Sequence, residues 1–249
     1  MDVARRPRAF VRVAGPDAQD YLQRMVSNDV EALQVGEACP ALLLTAKARV
    51  IAPLVVLRRT DDDFLLLTEP GLGEVVRAQL VRMRLRAKCA IESEQHESVL
   101  VFGGAEGFVT DWPGARETLD SGPAPTLSGD ELELRRIESC LPRWGHEIDD
   151  RILPAEAGLD ETHVSFAKGC YPGQEPVARL HFRGHPNRGL RVVELEELPE
   201  HDTPLLHDGR EVGRVTSAAR REDGTVVALA YVRTEVPDDA PLALAARTG

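Results

Sequence analysis

Hydrophobic positions along this chain change period repeatedly, between the alternation of a half-buried strand and the helical recurrence of an amphipathic helix. Phe10-Val11-Arg12-Val13 reads as a short strand. Gly15-Pro16-Asp17 then turns into a helix whose apolar face carries Ala18, Tyr21, Leu22, Met25 and Val26, and Ser27-Asn28-Asp29 breaks it. Apolar runs at residues 41–45, 50–57 and 64–68 predict three strands, the last stopped by Glu69-Pro70-Gly71. Leu72, Val75, Val76, Leu80 and Met83 predict a second amphipathic helix, followed by strands at 87–92 and 99–103. Residues 110–130 are rich in Pro, Gly, Asp and Ser and read as an irregular excursion. Helical spacing returns over 131–139 through Leu134, Ile137 and Glu138.

Beyond Asn187 the pattern is different. Short strands at 190–195, 204–207, 210–217 and 226–232 are separated by Pro, Asp and Gly turns, with no helical stretch. The Ala-rich terminus predicts a last strand and a frayed end. Such a tail predicts a small closed β-barrel or a sandwich. The expected fold is therefore α+β (mixed α/β), with one α/β domain over residues 1–183 and a small C-terminal β-barrel over 184–249.

Composition narrows the function. A chain of 249 residues with 43% hydrophobic and 29% charged residues has the make-up of a globular protein with a sizeable core. Its formal net charge of -11, without a basic arm, argues against direct nucleic-acid binding through the phosphate backbone. The longest apolar tracts are too short to span a membrane, and the opening residues lack the apolar stretch of a signal peptide. Cys39, Cys89, Cys140 and Cys170 match no zinc or disulfide spacing, so a cytoplasmic protein with reduced thiols is expected.

The most concentrated chemistry lies in Lys168-Gly169-Cys170-Tyr171-Pro172-Gly173-Gln174-Glu175. Only three lysines, Lys47, Lys88 and Lys168, stand among the 30 basic residues, so Lys168 is a candidate for work a guanidinium cannot do. A cation beside Cys170 would favour its thiolate and make the sulfur a nucleophile or a soft metal ligand. Gly173 suggests a positive backbone dihedral or a close approach. Gln174 and Glu175 offer two donors and a charged acceptor, suited to the amide and amino edge of a heterocycle. His163, His181 and His185 flank the run as candidate proton carriers or ligands, against the plainer reading of hydrogen-bonded or exposed side chains. Arg179, Arg183 and Arg188 form a basic stripe able to meet a ligand carboxylate or an acidic partner. There is no phosphate-binding glycine loop, nucleophile elbow or dinucleotide fingerprint.

Read in order, Arg136-Ile137-Glu138, Pro142-Arg143-Trp144-Gly145, Leu153-Pro154-Ala155-Glu156 and the run at 168–175 resemble the YgfZ family. Its members are folate-binding relatives of the glycine-cleavage T-protein (aminomethyltransferase), linked to iron–sulfur cluster assembly or repair and to tRNA-modifying enzymes. Gly15-Pro16-Asp17-Ala18, Ser27-Asn28-Asp29-Val30 and Gly213-Arg214-Val215-Thr216-Ser217 extend the resemblance over nearly the whole chain. It implies a folate-binding domain around a central cavity, closed by a C-terminal barrel of the aminomethyltransferase type. It further implies tetrahydrofolate or a derivative as cofactor, with Glu138 and Glu175 facing the pterin and Gln174, Tyr171 and Arg179 beside them. Cys170 is the implied functional thiol, with Lys168 as its companion, able to take iron, sulfur or a carbon unit. A transient iron–sulfur cluster would need ligands from elsewhere, because one thiol cannot hold it. Iron–sulfur assembly proteins or client enzymes are the implied partners.

The resemblance has a gap. Where the T-protein carries an acidic pair, this chain has Ala48-Arg49-Val50-Ile51-Ala52-Pro53, without a carboxylate. Aminomethyl transfer is therefore not expected. Ala48 and Cys140 also stand where many relatives have glycine. The expected role is an accessory protein; the alternatives are a folate-dependent one-carbon transferase or demethylase, and a scaffold that has lost folate binding.

Overall fold

The computed structural model describes residues 1–245. The elements run β1 (Asp2–Arg5), β2 (Ala9–Ala14), α1 (Ala18–Met25), β3 (Ala38–Leu44), β4 (Val50–Arg58), β5 (Asp63–Thr68), α2 (Gly73–Met83) and β6 (Ala90–Glu94). Then come β7 (Ser98–Phe102), β8 (Phe108–Val109), β9 (Ala115–Leu119), α3 (Gly129–Glu138) and α4 (Gln174–Arg183), with a 3-10 turn at Pro154–Ala157 between the last two. The tail is β10 (Arg188–Leu195), β11 (Pro204–His207), β12 (Arg210–Arg220), β13 (Val226–Arg233) and β14 (Ala243–Leu244). The frayed end expected after the last strand, residues 246–249, lies outside the described residues.

Among the described residues three antiparallel sheets result, ordered β3-β4-β5-β2-β6, β1-β7-β9-β8 and β10-β13-β12-β11-β14. The first sheet is buried on both faces. Val11, Val13, Leu54, Val56 and Leu66 pack with α1 and α2, while Phe10, Val55, Leu57, Leu65 and Leu67 turn to the other side against Phe108. Burial on both faces explains why β4 and β5 read as continuous apolar runs rather than alternating ones. In α2, Leu72, Val76 and Leu80 are buried, whereas Val75 and Met83, expected on the same face, are 45% and 39% exposed.

The 110–130 segment is not wholly irregular. β9 pairs with β7 in register Leu100↔Glu117. Its inward position is Glu117, a fully buried carboxylate matched by Arg8, so the alternation of this strand is carried by charge and is invisible to a hydrophobicity pattern.

The expected C-terminal β-barrel does not form. The five-stranded sheet is open: β10 pairs only with β13, and β14 pairs over two residues with β11. One face buries Leu205, Val215, Val226, Ala228 and Ala230. On the other, Val227 and Leu229 of β13 pack against Ile137 of α3. Closing a sheet needs its two edge strands to pair, and here the edges are the eight-residue β10 and the two-residue β14, which do not meet.

Candidate functional site

α3 begins with a capping box, in which Ser128 Oγ accepts from Glu131 N–H and Glu131 reaches back to Ser128 N–H. This start fixes Glu133 and Arg136 over a cavity of about 270 Å³. The walls are apolar and flat in part, with Pro7, Pro53, Pro70 and Leu132, and every lining residue lies between Arg6 and His163. The C-terminal sheet contributes none, so the cavity does not lie between the two expected domains.

Charges on the wall are mostly neutralised. Arg6 grips Asp111 with two bonds, Nη1 to Oδ1 at 2.6 Å and Nη2 to Oδ2 at 2.7 Å, and Arg8 Nη2 donates to Oδ1 at 2.9 Å. Burial opposes ionisation of Asp111, but the two guanidiniums hold it well below the usual carboxylate range. Glu133 accepts from Arg136 Nε at 3.0 Å and from Arg143 Nη1 at 3.0 Å. Arg136 continues outward: Nη1 donates to Glu147 at 2.9 Å and Nη2 to Ser217 Oγ of β12 at 2.7 Å. Tyr231 of β13 donates to the Glu147 carbonyl at 2.9 Å. The C-terminal sheet thus reaches the cavity through one buried arginine.

Other wall groups are unmatched. Glu69 makes no side-chain hydrogen bond or ion pair among the described residues, though it feels the charge of Arg8. Trp112 Nε1 and Arg143 Nε are buried without any hydrogen-bond partner. His163 bonds the Thr162 hydroxyl through Nδ1, and burial pushes its pKa down to about 4, so the ring is neutral at pH 7. One carboxylate and two N–H donors without partners, on a largely apolar wall, suit a planar heterocycle carrying both donors and acceptors.

The Cys170 segment is a second region. Cys170 is exposed and does not line the cavity. Lys168 is buried, and its ammonium donates to the carbonyls of Gln23, Val26 and Asn28 at 2.6, 2.7 and 2.7 Å. All three hydrogens are spent on the last turn of α1 and the loop after it, so the expected pairing of Lys168 with the Cys170 thiol is not made. Burial pushes the lysine pKa down to about 8, yet each carbonyl needs one ammonium hydrogen, and losing the proton would orphan one. Ser27 Oγ adds a bond to His163 O at 2.6 Å, so Ser27-Asn28-Asp29 and residues 163–168 are stitched together.

Gly173 has φ +84, and a Cβ there would sit 2.6 Å from the Thr45 carbonyl. This close approach seats the start of α4 on the 45–48 turn. Ala48 and Cys140, expected to stand where many relatives have glycine, both adopt positive φ, 59 and 53. Beside the turn, Tyr171, Gln174, Glu175 and Arg179 line a shallow open groove. Tyr171 is buried, with its hydroxyl unpartnered and its pKa pushed up by burial to about 12. Glu138 is absent from both regions, because it is half exposed on α3 and paired with Arg221. The two carboxylates expected to face one ligand therefore do not converge. His181 bonds Asp160 and stacks on Phe166, and no group of three metal-ligating side chains occurs among the described residues.

Sequence reasoning missed Arg6, Glu69, Asp111, Trp112 and Glu133 as wall residues. Arg136 and Arg143 belong to the motifs that carry the resemblance, and His163 flanks the Cys170 run.

The comparisons with known proteins agree with this architecture. Residues 7–105 match the family model of the GCVT N-terminal domain. A tRNA-modifying protein YgfZ of Edwardsiella ictaluri is 28% identical over 93% of this chain and 84% of its own length. An aminomethyltransferase of Desulforamulus reducens is 25% identical over 91% of this chain and 76% of its own. The glycine cleavage system aminomethyltransferase T from Bartonella henselae superposes with a TM-score of 0.80 at 17% identity, covering 97% of this chain and 81% of that one. Over nearly its whole length the chain is similar to GcvT/YgfZ-like proteins, and it shares the fold of the aminomethyltransferase. Its own 46–53 stretch has no carboxylate, and the acids Asp111 and Glu133 of the cavity are tied to arginines.

Proposed function

We propose that this protein is a cytoplasmic folate-binding accessory factor in iron–sulfur cluster assembly or repair, serving cluster-containing enzymes such as tRNA-modifying ones. The observation that carries the folate part is the set of unpartnered wall groups: Glu69, Trp112 Nε1 and Arg143 Nε around a cavity of about 270 Å³. That volume is just below the roughly 300–1,000 Å³ of drug-sized pockets, and suits a bicyclic pterin head with its tail leading outward. Glu69 would accept from the pterin's amino edge, and the indole and Arg143 would donate to its oxygen or ring nitrogen. A bound reduced folate supplies a carrier for a one-carbon unit; the residues here bind, orient and keep water out. His163, neutral at pH 7, adds no charge to that wall.

The tRNA-modifying name of the Edwardsiella ictaluri relative supports the client class. The exposed Cys170 is the group available to a partner protein, held outward by the buried Lys168 anchor. Aminomethyl transfer is disfavoured by the lack of an unpaired acid in 46–53. A folate-dependent one-carbon transferase or demethylase remains the rival with turnover.

Calorimetric titration with tetrahydrofolate tests the reading. Saturable binding is expected, weakened at least about tenfold in Glu69→Gln at unchanged melting temperature. No saturable binding to the wild type would leave only a scaffold. In cells under oxidative stress, Cys170→Ser should lower the activity of an iron–sulfur client while leaving folate affinity intact.

A further inference from the structure

We propose that the end of α2, its following turn and α1 form a docking groove for an acidic amphipathic segment of a partner protein. The groove encloses about 780 Å³ and lies apart from the cavity and from Cys170, sharing no lining residue with either region. Its apolar surface includes Met25, Met83 and Leu85, and its cations are Arg24, Arg84 and Arg86.

Three observations converge on it. First, Met83 at the end of α2 lines the groove and is 39% exposed, while Leu72, Val76 and Leu80 fill the core. Second, Leu85 has φ 50 and is 88% exposed. A left-handed conformation is unfavourable for a non-glycine residue, and here it displays a leucine to solvent with no burial in return. Third, the charge is inverted relative to the whole. On a chain of net charge -11, the stretches 17–25 and 81–88 hold Arg24, Arg82, Arg84, Arg86 and Lys88 against Asp17 and Asp20. Asp20 is already paired with Arg24, and Asp17 accepts from the Lys88 backbone N–H. The side chains of Arg86 and Lys88 have no hydrogen-bond or ion-pair partner among the described residues.

The occupant follows from that chemistry. Methionine and leucine between arginines complement a segment that alternates apolar anchors with carboxylates, laid into a groove between two helices. The concave shape favours a protein segment over a flat lipid surface, and the arginine rim selects acidic sequences.

A photo-crosslinking substitution, Leu85→p-benzoylphenylalanine, in the full chain expressed in its own cell tests the assignment. Leu198, also an exposed leucine at 55%, takes the same substitution as control. The expected result is a protein adduct at 85 and not at 198, mapped to a net-negative segment with apolar anchors. The charge reversal Arg86→Glu with Lys88→Glu should reduce its yield at least about tenfold. Both side chains are exposed and unpartnered, so far-UV circular dichroism should not change. An adduct that survives the reversal, or maps to lipid, nucleic acid or a second copy of this chain, overturns the proposal. So does a yield at 85 no higher than at 198.

Discussion

The central cavity and the Cys170 segment solve opposite problems with the same kinds of residue. Around the cavity most charges are matched: Asp111 with Arg6 and Arg8, Glu133 with Arg136 and Arg143, and behind the wall Glu147 with Arg136 and Ser217, whereas Glu69 is left open. At the Cys170 segment one charge, Lys168, is buried and spent on backbone, while Glu175 and Arg179 stand exposed one helical turn apart without forming an ion pair. A wall of paired charges is rigid before a ligand arrives, which lowers the entropy cost of binding. An exposed thiol with exposed polar neighbours suits a transient encounter with another protein. The difference separates a site made to hold from a site made to meet.

The largest effect should come from breaking the matched wall. Arg136→Met leaves Glu147 buried without its cation and cuts the link from α3 to β12. Removing one partner of a buried ion pair costs about 3–5 kcal/mol. Thermal or urea unfolding of Arg136→Met should show a loss of that size. If the link also transmits order to the cavity, the remaining folded protein should bind tetrahydrofolate more weakly. A loss below about 1 kcal/mol would mean that Glu147 reaches water and that the wall is not preorganised.

A second test sharpens the comparison through pH. His163 titrates near 6.5 when unfolded and is pushed down by burial to about 4 in the folded wall. Between these values the unfolded chain binds more protons than the folded one, so stability falls as pH drops through that window. A shift of this size corresponds to about 3 kcal/mol. Asp111, held low in the folded protein, contributes stability that is present above its unfolded pKa of 3.8 and is lost only below it. The two groups therefore act in adjacent windows. Urea unfolding from pH 7 to 4 should show the decline in wild type and a flatter profile in His163→Gln. An unchanged profile in that variant would assign the slope to the carboxylates.

Legibility in the sequence divides along the same line. Contiguous features could be read: the Gly173 turn, the helix after Ser128 and the apolar strands of the first sheet are each set by neighbouring residues. The cavity wall could not, because it is assembled from positions as distant as Arg6, Glu69, Asp111 and His163. Asp111 and Trp112 fell in a stretch whose only buried strand position facing the wall charges is Glu117, so no apolar alternation marked it. Four short apolar strands in the tail are equally compatible with closure and with an open layer. The difference lies in the pairing of the edges, where β14 spans two residues and does not meet β10, and no apolar run announces that pairing. Glu138, in the recognised motif, turns outward to Arg221 instead of inward.

The smallest expected effect separates two roles for one residue. Lys168→Met removes the donor to Gln23, Val26 and Asn28 but also removes a buried charge that burial disfavours. The lost hydrogen bonds and the relieved desolvation oppose each other, leaving a net destabilisation of about 2 kcal/mol. The melting temperature should fall, while the rate at which the Cys170 thiol reacts with a disulfide reagent, measured well below the transition, should change little. If the ammonium instead acted on the sulfur, that rate would drop about tenfold or more with little change in melting temperature. The geometry favours the first outcome: all three ammonium hydrogens already point at carbonyls of the end of α1 and the loop after it, and a lysine so occupied fixes where the cysteine stands rather than how it reacts.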